Sequence, residues 1–120
     1  MVGVLLVEDD KATADLYALK LRLDGFSVSV APDRATAEQV FVRERPAVVC
    51  LDEWLPGGTG TALAEHFAAA GARIVLLTND QYRYERPPAC VCRSVLKART
   101  KPGQLSAMIT ELVGSAPAPA

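Results

Sequence analysis

The sequence predicts a doubly wound α/β domain built on a five-stranded parallel sheet. Two continuous apolar runs, Gly3–Val7 and Ala47–Leu51, have the composition of strands that are buried on both faces. Between these runs and after them, apolar residues recur at the spacing of amphipathic helices. Such an alternation of strands and helices is typical of a parallel sheet with helices on both faces.

Each predicted element has its own signal in the sequence. Strands are predicted at Gly3–Val7, Phe26–Val30, Ala47–Leu51, Arg73–Thr78 and Cys90–Leu96. Helical stripes run over Ala14–Leu21, Ala37–Phe41, Leu63–Ala70 and Leu105–Val113. Gly25, Pro46 and Gly71 end the first three helices, and Pro102 suits the first turn of the last helix. Asp10 and Asp33 stand where helix N-caps are expected.

One segment departs from this pattern. Asn79–Pro88 has no apolar stripe and ends in two prolines, so we expect a short or irregular fourth helix of one or two turns at most. The chain ends in an alternating Ala-Pro sequence, which favours an extended conformation and packs poorly. We therefore predict one domain over residues 1–114, followed by an Ala/Pro-rich tail or linker stub over residues 115–120.

Composition excludes several classes of protein. The 120 residues carry 13 basic and 14 acidic side chains, without the basic excess of a nucleic-acid-binding module. No apolar run approaches the roughly 20 residues of a membrane span, and no secretory signal opens the chain. An odd number of cysteines, Cys50, Cys90 and Cys92, indicates a reducing cytoplasm. We expect core or edge cysteines here rather than metal ligands.

The predicted strand ends carry the chemistry. Glu8, Asp9 and Asp10 follow the first strand, and Asp52 follows the third. Because the carboxyl ends of parallel strands share one edge, these carboxylates should converge and repel each other. A divalent cation relieves such repulsion, and carboxylates select a hard ion such as Mg²⁺. Asp10 immediately precedes a helix and fits a cap better than a ligand.

Two further groups lie at the same predicted edge. Thr78 ends the fourth strand and Lys97 directly follows the fifth, which places a hydroxyl and an ammonium beside the acids. Together with Mg²⁺ they could surround a transferring phosphoryl group, with Asp52 as the nucleophile that forms an aspartyl phosphate. No GxxxxGK[ST] loop is present to hold a nucleotide. The expected donor is therefore a small phosphoryl compound or another protein's phosphohistidine.

These residues resemble a known family. The run Leu5–Asp10, together with Asp52, Pro56, Gly57 and Gly60, resembles the response-regulator receiver domain of two-component signalling. Thr78 and Lys97 extend the resemblance over nearly the whole chain. The resemblance implies a flavodoxin-like fold in a cytoplasmic protein. It also implies a histidine kinase or histidine phosphotransfer protein as the upstream partner and an unspecified protein target. From the charge balance and the short apolar runs we expect no direct binding of nucleic acid or membrane.

The resemblance also assigns roles to single residues. Asp52 would be the phosphoacceptor, Asp9 a direct Mg²⁺ ligand and Glu8 a ligand acting mainly through water. The backbone carbonyl of Trp54 would complete the metal site. Thr78 would donate a hydrogen bond to the phosphoryl group and Lys97 would pair with it. Such a domain is not an enzyme with a separate substrate, since it transfers phosphoryl only to its own aspartate and loses it by hydrolysis.

Several assignments have alternatives. Lys101-Pro102 resembles the family's Lys-Pro pair, but Val95 and Leu96 make a better buried strand end, which favours Lys97. Trp54 either shields an aspartyl phosphate from water or is a partly exposed loop residue. The basic stretch Arg83–Lys101 is either a docking patch for an acidic partner or a solvated face. His66 is expected at the surface.

Three departures from the family pattern support a second hypothesis. Asn79 replaces the usual small residue after the threonine, Ser94 stands where an aromatic switch residue is expected, and the fourth helix is degraded. These changes favour a receiver-like interaction module that works without phosphorylation. A flavodoxin-like cofactor binder is a third reading, but it needs a hydroxyl- and glycine-rich loop where this chain has carboxylates.

Overall fold

A five-stranded parallel sheet forms the centre of the computed structural model, which describes residues 1–56 and 58–114. The predicted tail at 115–120 lies outside the described residues. The strands are β1 (Gly3–Val7), β2 (Ser27–Ala31), β3 (Val48–Asp52), β4 (Arg73–Thr78) and β5 (Arg93–Leu96). Their order is β2-β1-β3-β4-β5, and all neighbouring strands are parallel. The predicted fold class is confirmed.

Helices cover both faces of the sheet. They are α1 (Lys11–Leu23), α2 (Arg34–Glu44), α3 (Thr61–Ala69), α4 (Gln81–Glu85) and α5 (Pro102–Gly114). A single 3₁₀ turn, Lys97–Arg99, follows β5, and a small antiparallel hairpin pairs Trp54–Leu55 with Gly58–Thr59. Alternate residues of β1 and β3 point into two separate cores, one with α1 and α5, the other with α2 and α3. This two-sided burial explains their continuous apolar sequence.

The helix boundaries follow the predicted signals. The Asp10 carboxylate accepts a hydrogen bond from the backbone N–H of Thr13 at 3.0 Å, and Asp33 caps α2 in the same way at 2.8 Å. Gly25 and Gly71 have positive φ angles of 97° and 100°, which glycine adopts without the cost that a Cβ atom imposes. Helix α5 begins at Pro102, as predicted.

Three strands differ from the sequence prediction, and β3 starts and ends one residue later than predicted, at Val48–Asp52. Strand β2 is shifted by one residue, to Ser27–Ala31, and β5 begins at Arg93 rather than at Cys90. Cys90 and Cys92 therefore precede β5, which corrects the prediction that both lie in this strand. Cys50 is buried in the core, Cys90 is partly buried and Cys92 is exposed, and all three are free thiols.

The fourth helix is short, as predicted. Helix α4 has five residues, none of them buried, so it does not contribute a side chain to either core. It is held by polar contacts instead. The Asp80 carboxylate accepts from the backbone N–H groups of Tyr82 and Arg83, and the Ser94 hydroxyl donates to the backbone carbonyl of Tyr84 at 2.6 Å. Among the described residues, the helices are all too short or too polar to cross a membrane.

Candidate functional site

The carboxyl edge of the sheet brings three acidic side chains together. Asp52 is the last residue of β3, and Glu8 and Asp9 directly follow β1, its neighbour in the sheet. One carboxylate oxygen from each residue lies within 4.8 Å of the others. Glu8 and Asp52 are buried and Asp9 is exposed. The convergence expected from the parallel strands is therefore present, and it is open to solvent on the side of Asp9.

A close backbone approach fixes the position of Asp52. A Cβ atom added to Gly60 would lie 2.8 Å from the backbone carbonyl oxygen of Asp52 and 3.2 Å from the side chain of Leu51. The Gly60 N–H also donates to the backbone carbonyl of Glu53 at 2.7 Å. Only glycine allows the segment before α3 to pack this closely against the end of β3. The glycine in the sequence motif thus has a direct steric role.

Lys97 reaches the carboxylates from the end of β5. Its ammonium nitrogen lies 2.6 Å from Glu8 Oε1 and 3.3 Å from Asp52 Oδ2. Lys101 instead lies exposed just before α5, where its backbone N–H donates to the side chain of Gln104. Of the two lysines that the sequence offered, the structure therefore brings Lys97 to the acidic residues.

The site is electrostatically unbalanced. Burial, together with the neighbouring carboxylate of Asp52, raises the pKa of Glu8 to about 8, even though Lys97 opposes the shift. Burial disfavours the charge on Lys97, but Glu8 and Asp52 outweigh that effect and raise the pKa of Lys97. Both carboxylate oxygens of Glu8 are buried without a well-directed hydrogen bond, although Lys97 is close. Unsatisfied carboxylate oxygens of this kind fit a hard divalent cation such as Mg²⁺.

Trp54 lies in the hairpin that follows β3. Its backbone N–H points to Asp52 Oδ1 at 3.4 Å, and its side chain is 64% exposed. The position beside Asp52 agrees with the predicted role of the Trp54 backbone at the metal site, which stays a prediction. The high exposure of the ring fits a loop tryptophan better than a lid over Asp52.

Thr78 is buried at the end of β4 and makes two hydrogen bonds. Its hydroxyl donates to Glu53 Oε1 at 2.9 Å and accepts from the backbone N–H of Asp80 at 3.0 Å. Glu53, which the sequence reasoning missed, is only 4% exposed. Its second oxygen accepts a hydrogen bond from Arg83 Nε at 2.7 Å. The sequence did offer a signal for Glu53, because it directly follows a strand that is buried on both faces. A charged side chain buried at that position requires a partner.

The two unusual residues in the motif both make defined contacts. The side-chain oxygen of Asn79 accepts a hydrogen bond from the backbone N–H of Ala98 at 2.9 Å, in the 3₁₀ turn that contains Lys97. Asn79 therefore ties the segment after β4 to the segment after β5. Ser94, in place of an aromatic residue, binds the end of α4 through Tyr84.

Acidic neighbours pair with much of the basic stretch Arg83–Lys101. The paired residues and their partners are Arg83 with Glu53, Arg86 with Glu85, Arg93 with Glu111, and Lys97 with Glu8 and Asp52. Arg99 and Lys101 are exposed. This internal pairing weakens the case for an acidic docking partner, which stays a hypothesis. His66 is exposed on α3, as expected.

Comparison with known proteins agrees with this geometry. The family model described as the response regulator receiver domain matches residues 4–110. The sensory transduction protein RegX3 of Mycolicibacterium smegmatis is 36% identical over 77 residues, which is 64% of this chain and 34% of RegX3. The transcriptional regulatory protein RstA of Escherichia coli is 36% identical over 80 residues, 66% of this chain and 34% of RstA. The match thus spans about a third of the length of these relatives.

Solved structures share the fold. The receiver domain of the Francisella response regulator 1452 superposes with a TM-score of 0.86 at 17% identity, covering 98% of this chain and all of that one. The response regulator TrrA of Thermotoga maritima, solved in complex with Mg²⁺–BeF, has a TM-score of 0.82 at 23% identity and covers 93% of this chain and 99% of its own. At these identities the likeness concerns the fold.

Proposed function

Because the chain belongs to the response regulator receiver domain family, we propose that it accepts a phosphoryl group on Asp52 with the aid of Mg²⁺ and thereby changes its contacts with a partner protein. One observation carries this proposal: Glu8, Asp9, Asp52 and Lys97 converge at the carboxyl edge of the sheet. The proposed domain is residues 1–114, and the proposed location is the cytoplasm, in keeping with three free thiols.

The proposed reaction is a displacement at phosphorus. A carboxylate oxygen of Asp52 forms a new bond to the phosphorus atom as the bond to the donor breaks, and the electron pair of that bond leaves with the donor. When the donor is the phosphohistidine of a histidine kinase or a histidine phosphotransfer protein, the leaving atom is a ring nitrogen, which takes a proton from solvent. Hydrolysis of the aspartyl phosphate by water returns the carboxylate.

The residues around Asp52 have distinct proposed roles. The Lys97 ammonium, 3.3 Å from Asp52 Oδ2, would pair with a phosphoryl oxygen, and the Thr78 hydroxyl would donate to another. Glu8, Asp9, Asp52 and the Trp54 backbone carbonyl would hold the Mg²⁺. When bound, that ion would supply positive charge that offsets the carboxylates and the phosphoryl oxygens.

A binding module that works without phosphorylation is the second candidate. One observation favours it: the Thr78 hydroxyl, which the transfer would use, already donates to Glu53. In that case the same fold would present a fixed surface to its partner, and the acidic cluster would be structural.

The test is the intact mass after incubation with Mg²⁺ and a small phosphoryl donor, either acetyl phosphate or phosphoramidate. We expect wild type to gain one phosphoryl group and Asp52→Ala to gain none. Asp15→Ala, which removes an exposed aspartate of α1, is the matched control and should behave as wild type. Wild type that gains no mass with either donor, while Trp54 fluorescence still responds to Mg²⁺, would refute phosphorylation and favour the binding module.

A further inference from the structure

Glu53 is a buried acid that the proposed phosphoryl transfer does not use. It lies between the reaction site and α4, because Oε1 accepts from the hydroxyl of Thr78 and Oε2 accepts from Arg83 in α4. Arg83 is partly exposed, whereas the Glu53 carboxylate is almost fully enclosed. A buried carboxylate with one partner on each side is a physical link between those two partners.

The Thr78 hydroxyl has one proton and can donate one hydrogen bond. A hydroxyl donates a single hydrogen bond, so Thr78 donates either to Glu53 or to a phosphoryl oxygen on Asp52, but not fully to both. The same hydroxyl oxygen accepts from the backbone N–H of Asp80, the residue that caps α4. Any reorientation of Thr78 toward a phosphoryl group therefore disturbs two contacts that lead to α4.

Electrostatic repulsion would also displace the Glu53 carboxylate when Asp52 carries a phosphoryl group. A phosphoryl oxygen that accepts from Thr78 would lie within about 6 Å of Glu53 Oε1, the span of two hydrogen bonds that share one hydroxyl. Two negative charges at that distance repel each other strongly where water is largely excluded. Glu53 would thus lose a donor and gain a like charge in the same event.

We propose that Glu53 is a positioning residue that couples the state of Asp52 to α4 through Thr78 and Arg83. In the unphosphorylated protein Glu53 holds Thr78 away from Asp52 and anchors α4. In the phosphorylated protein Thr78 turns to the phosphoryl group, the Glu53 carboxylate moves away from it, and the Arg83 anchor is released. This coupling rests on the proposed function. It would link Thr78 to α4 in place of the aromatic switch residue that is expected at the position of Ser94.

Helix α4 is suited to respond, because it has no buried residue. Among the described residues, its other polar contacts include the hydrogen bond from Ser94 to the Tyr84 carbonyl and the Asp80 cap. A five-residue helix with no fully buried residue opens when one of its few polar contacts is lost. The readout is therefore the hydrogen exchange of the Tyr84 and Arg86 amides, which bond to the Asp80 and Tyr82 carbonyls.

The first experiment compares exchange with and without Mg²⁺–beryllofluoride, a phosphoryl mimic. In wild type we expect the mimic to speed exchange at the Tyr84 and Arg86 amides by roughly tenfold, as for loss of one charge-assisted hydrogen bond. In Glu53→Gln, exchange should already be faster without the mimic and should respond to it less than about twofold. Glu85→Gln, which alters an exposed glutamate of α4, should respond as wild type does. A full response in Glu53→Gln would overturn the coupling, since a purely structural role does not alter the dependence on the mimic.

The second experiment needs no phosphoryl group and so separates failure of the coupling from failure of the proposed function. Thr78→Val removes the donor to Glu53 at nearly constant volume, and Arg83→Ala removes the exposed end of the link. Both should speed exchange in α4, whereas Arg99→Ala, at an exposed arginine outside α4, should not. If Thr78→Val leaves α4 unchanged, the coupling is wrong whether or not Asp52 is phosphorylated. In the first experiment, native mass spectrometry shows separately whether each protein binds the Mg²⁺–beryllofluoride mimic.

Discussion

Glu8→Gln should stabilise the metal-free protein at neutral pH. Glu8 is buried between Asp52 and Lys97, and its pKa is raised from 4.5 to about 8, with burial as the largest cause. A carboxyl group with a raised pKa takes up a proton on folding. The stability that this proton provides is fully present below the pKa of Glu8 in the unfolded chain. It is lost as the pH rises through the pKa of Glu8 in the folded protein. Glutamine keeps the size of the protonated side chain and removes this loss.

The expected magnitude follows from the shift. Each pH unit between the two pKa values is worth about 1.4 kcal/mol of unfolding free energy. Between pH 4.5 and pH 7 the loss through Glu8 is therefore at most about 3 kcal/mol. Movement of the partly exposed Lys97 and entry of water reduce it, so we expect Glu8→Gln to gain about 1–2 kcal/mol at pH 7.

The assay is urea unfolding in EDTA at about pH 5, pH 7 and pH 8. The difference between Glu8→Gln and wild type should be small at the lowest pH and should grow toward the highest, because other titrating groups cancel in the comparison. Glu38→Gln, at an exposed glutamate of α2, is the matched control and should give a constant difference. A Glu8→Gln protein that is less stable than wild type at pH 7, or a difference that does not change with pH, would refute the reasoning.

Three further outcomes are expected. Gly60→Ala should cost about 1–3 kcal/mol by urea unfolding, because its Cβ would lie 2.8 Å from the Asp52 carbonyl oxygen; an unchanged midpoint would show that the segment shifts freely. Burial raises the pKa of the Cys50 thiol to about 12, so a thiol reagent should label exposed Cys92 in the native protein and Cys50 only after unfolding. Tyr17→Phe should cost about 1 kcal/mol, since its hydroxyl donates to a backbone carbonyl before α5; calorimetry that shows no loss would mean that this bond adds nothing.

The central part of the fold could be predicted from the sequence because burial leaves a strong pattern. Strands β1 and β3 lie inside the sheet with both faces covered, and each reads as a continuous apolar run. Strands β2 and β5 form the edges, where fewer positions must be apolar. Strand β5 was predicted three residues too long at its start, whereas the bounds of β2 and β3 were each wrong by one residue. The uncovered α4 was recognised as short for the same reason, since it buries no residue.

The site was predictable only where the backbone topology fixes it. The carboxyl ends of parallel strands share an edge whatever their side chains do, so the convergence of Glu8, Asp9 and Asp52 could be expected from the parallel arrangement of the strands. The partner of the Thr78 hydroxyl depends on side-chain orientation and on Glu53, which is 25 residues away in sequence. No periodicity or spacing encodes such a pair, and the three-dimensional structure was needed to find it.

The charges around Asp52 favour the binding of a cation at this edge of the sheet. When Glu8 is ionised, the edge of the sheet carries four carboxylates and two cations in contact with them: Glu8, Asp9, Asp52 and Glu53, with Lys97 and Arg83. A divalent cation would offset the difference, and a phosphoryl group would restore an excess of negative charge. Of the buried acids in the described part of the chain, Glu53 is the one whose cationic partner lies on a helix without buried residues. Release of that pair would therefore accommodate the added charge without exposing a buried side chain of α4.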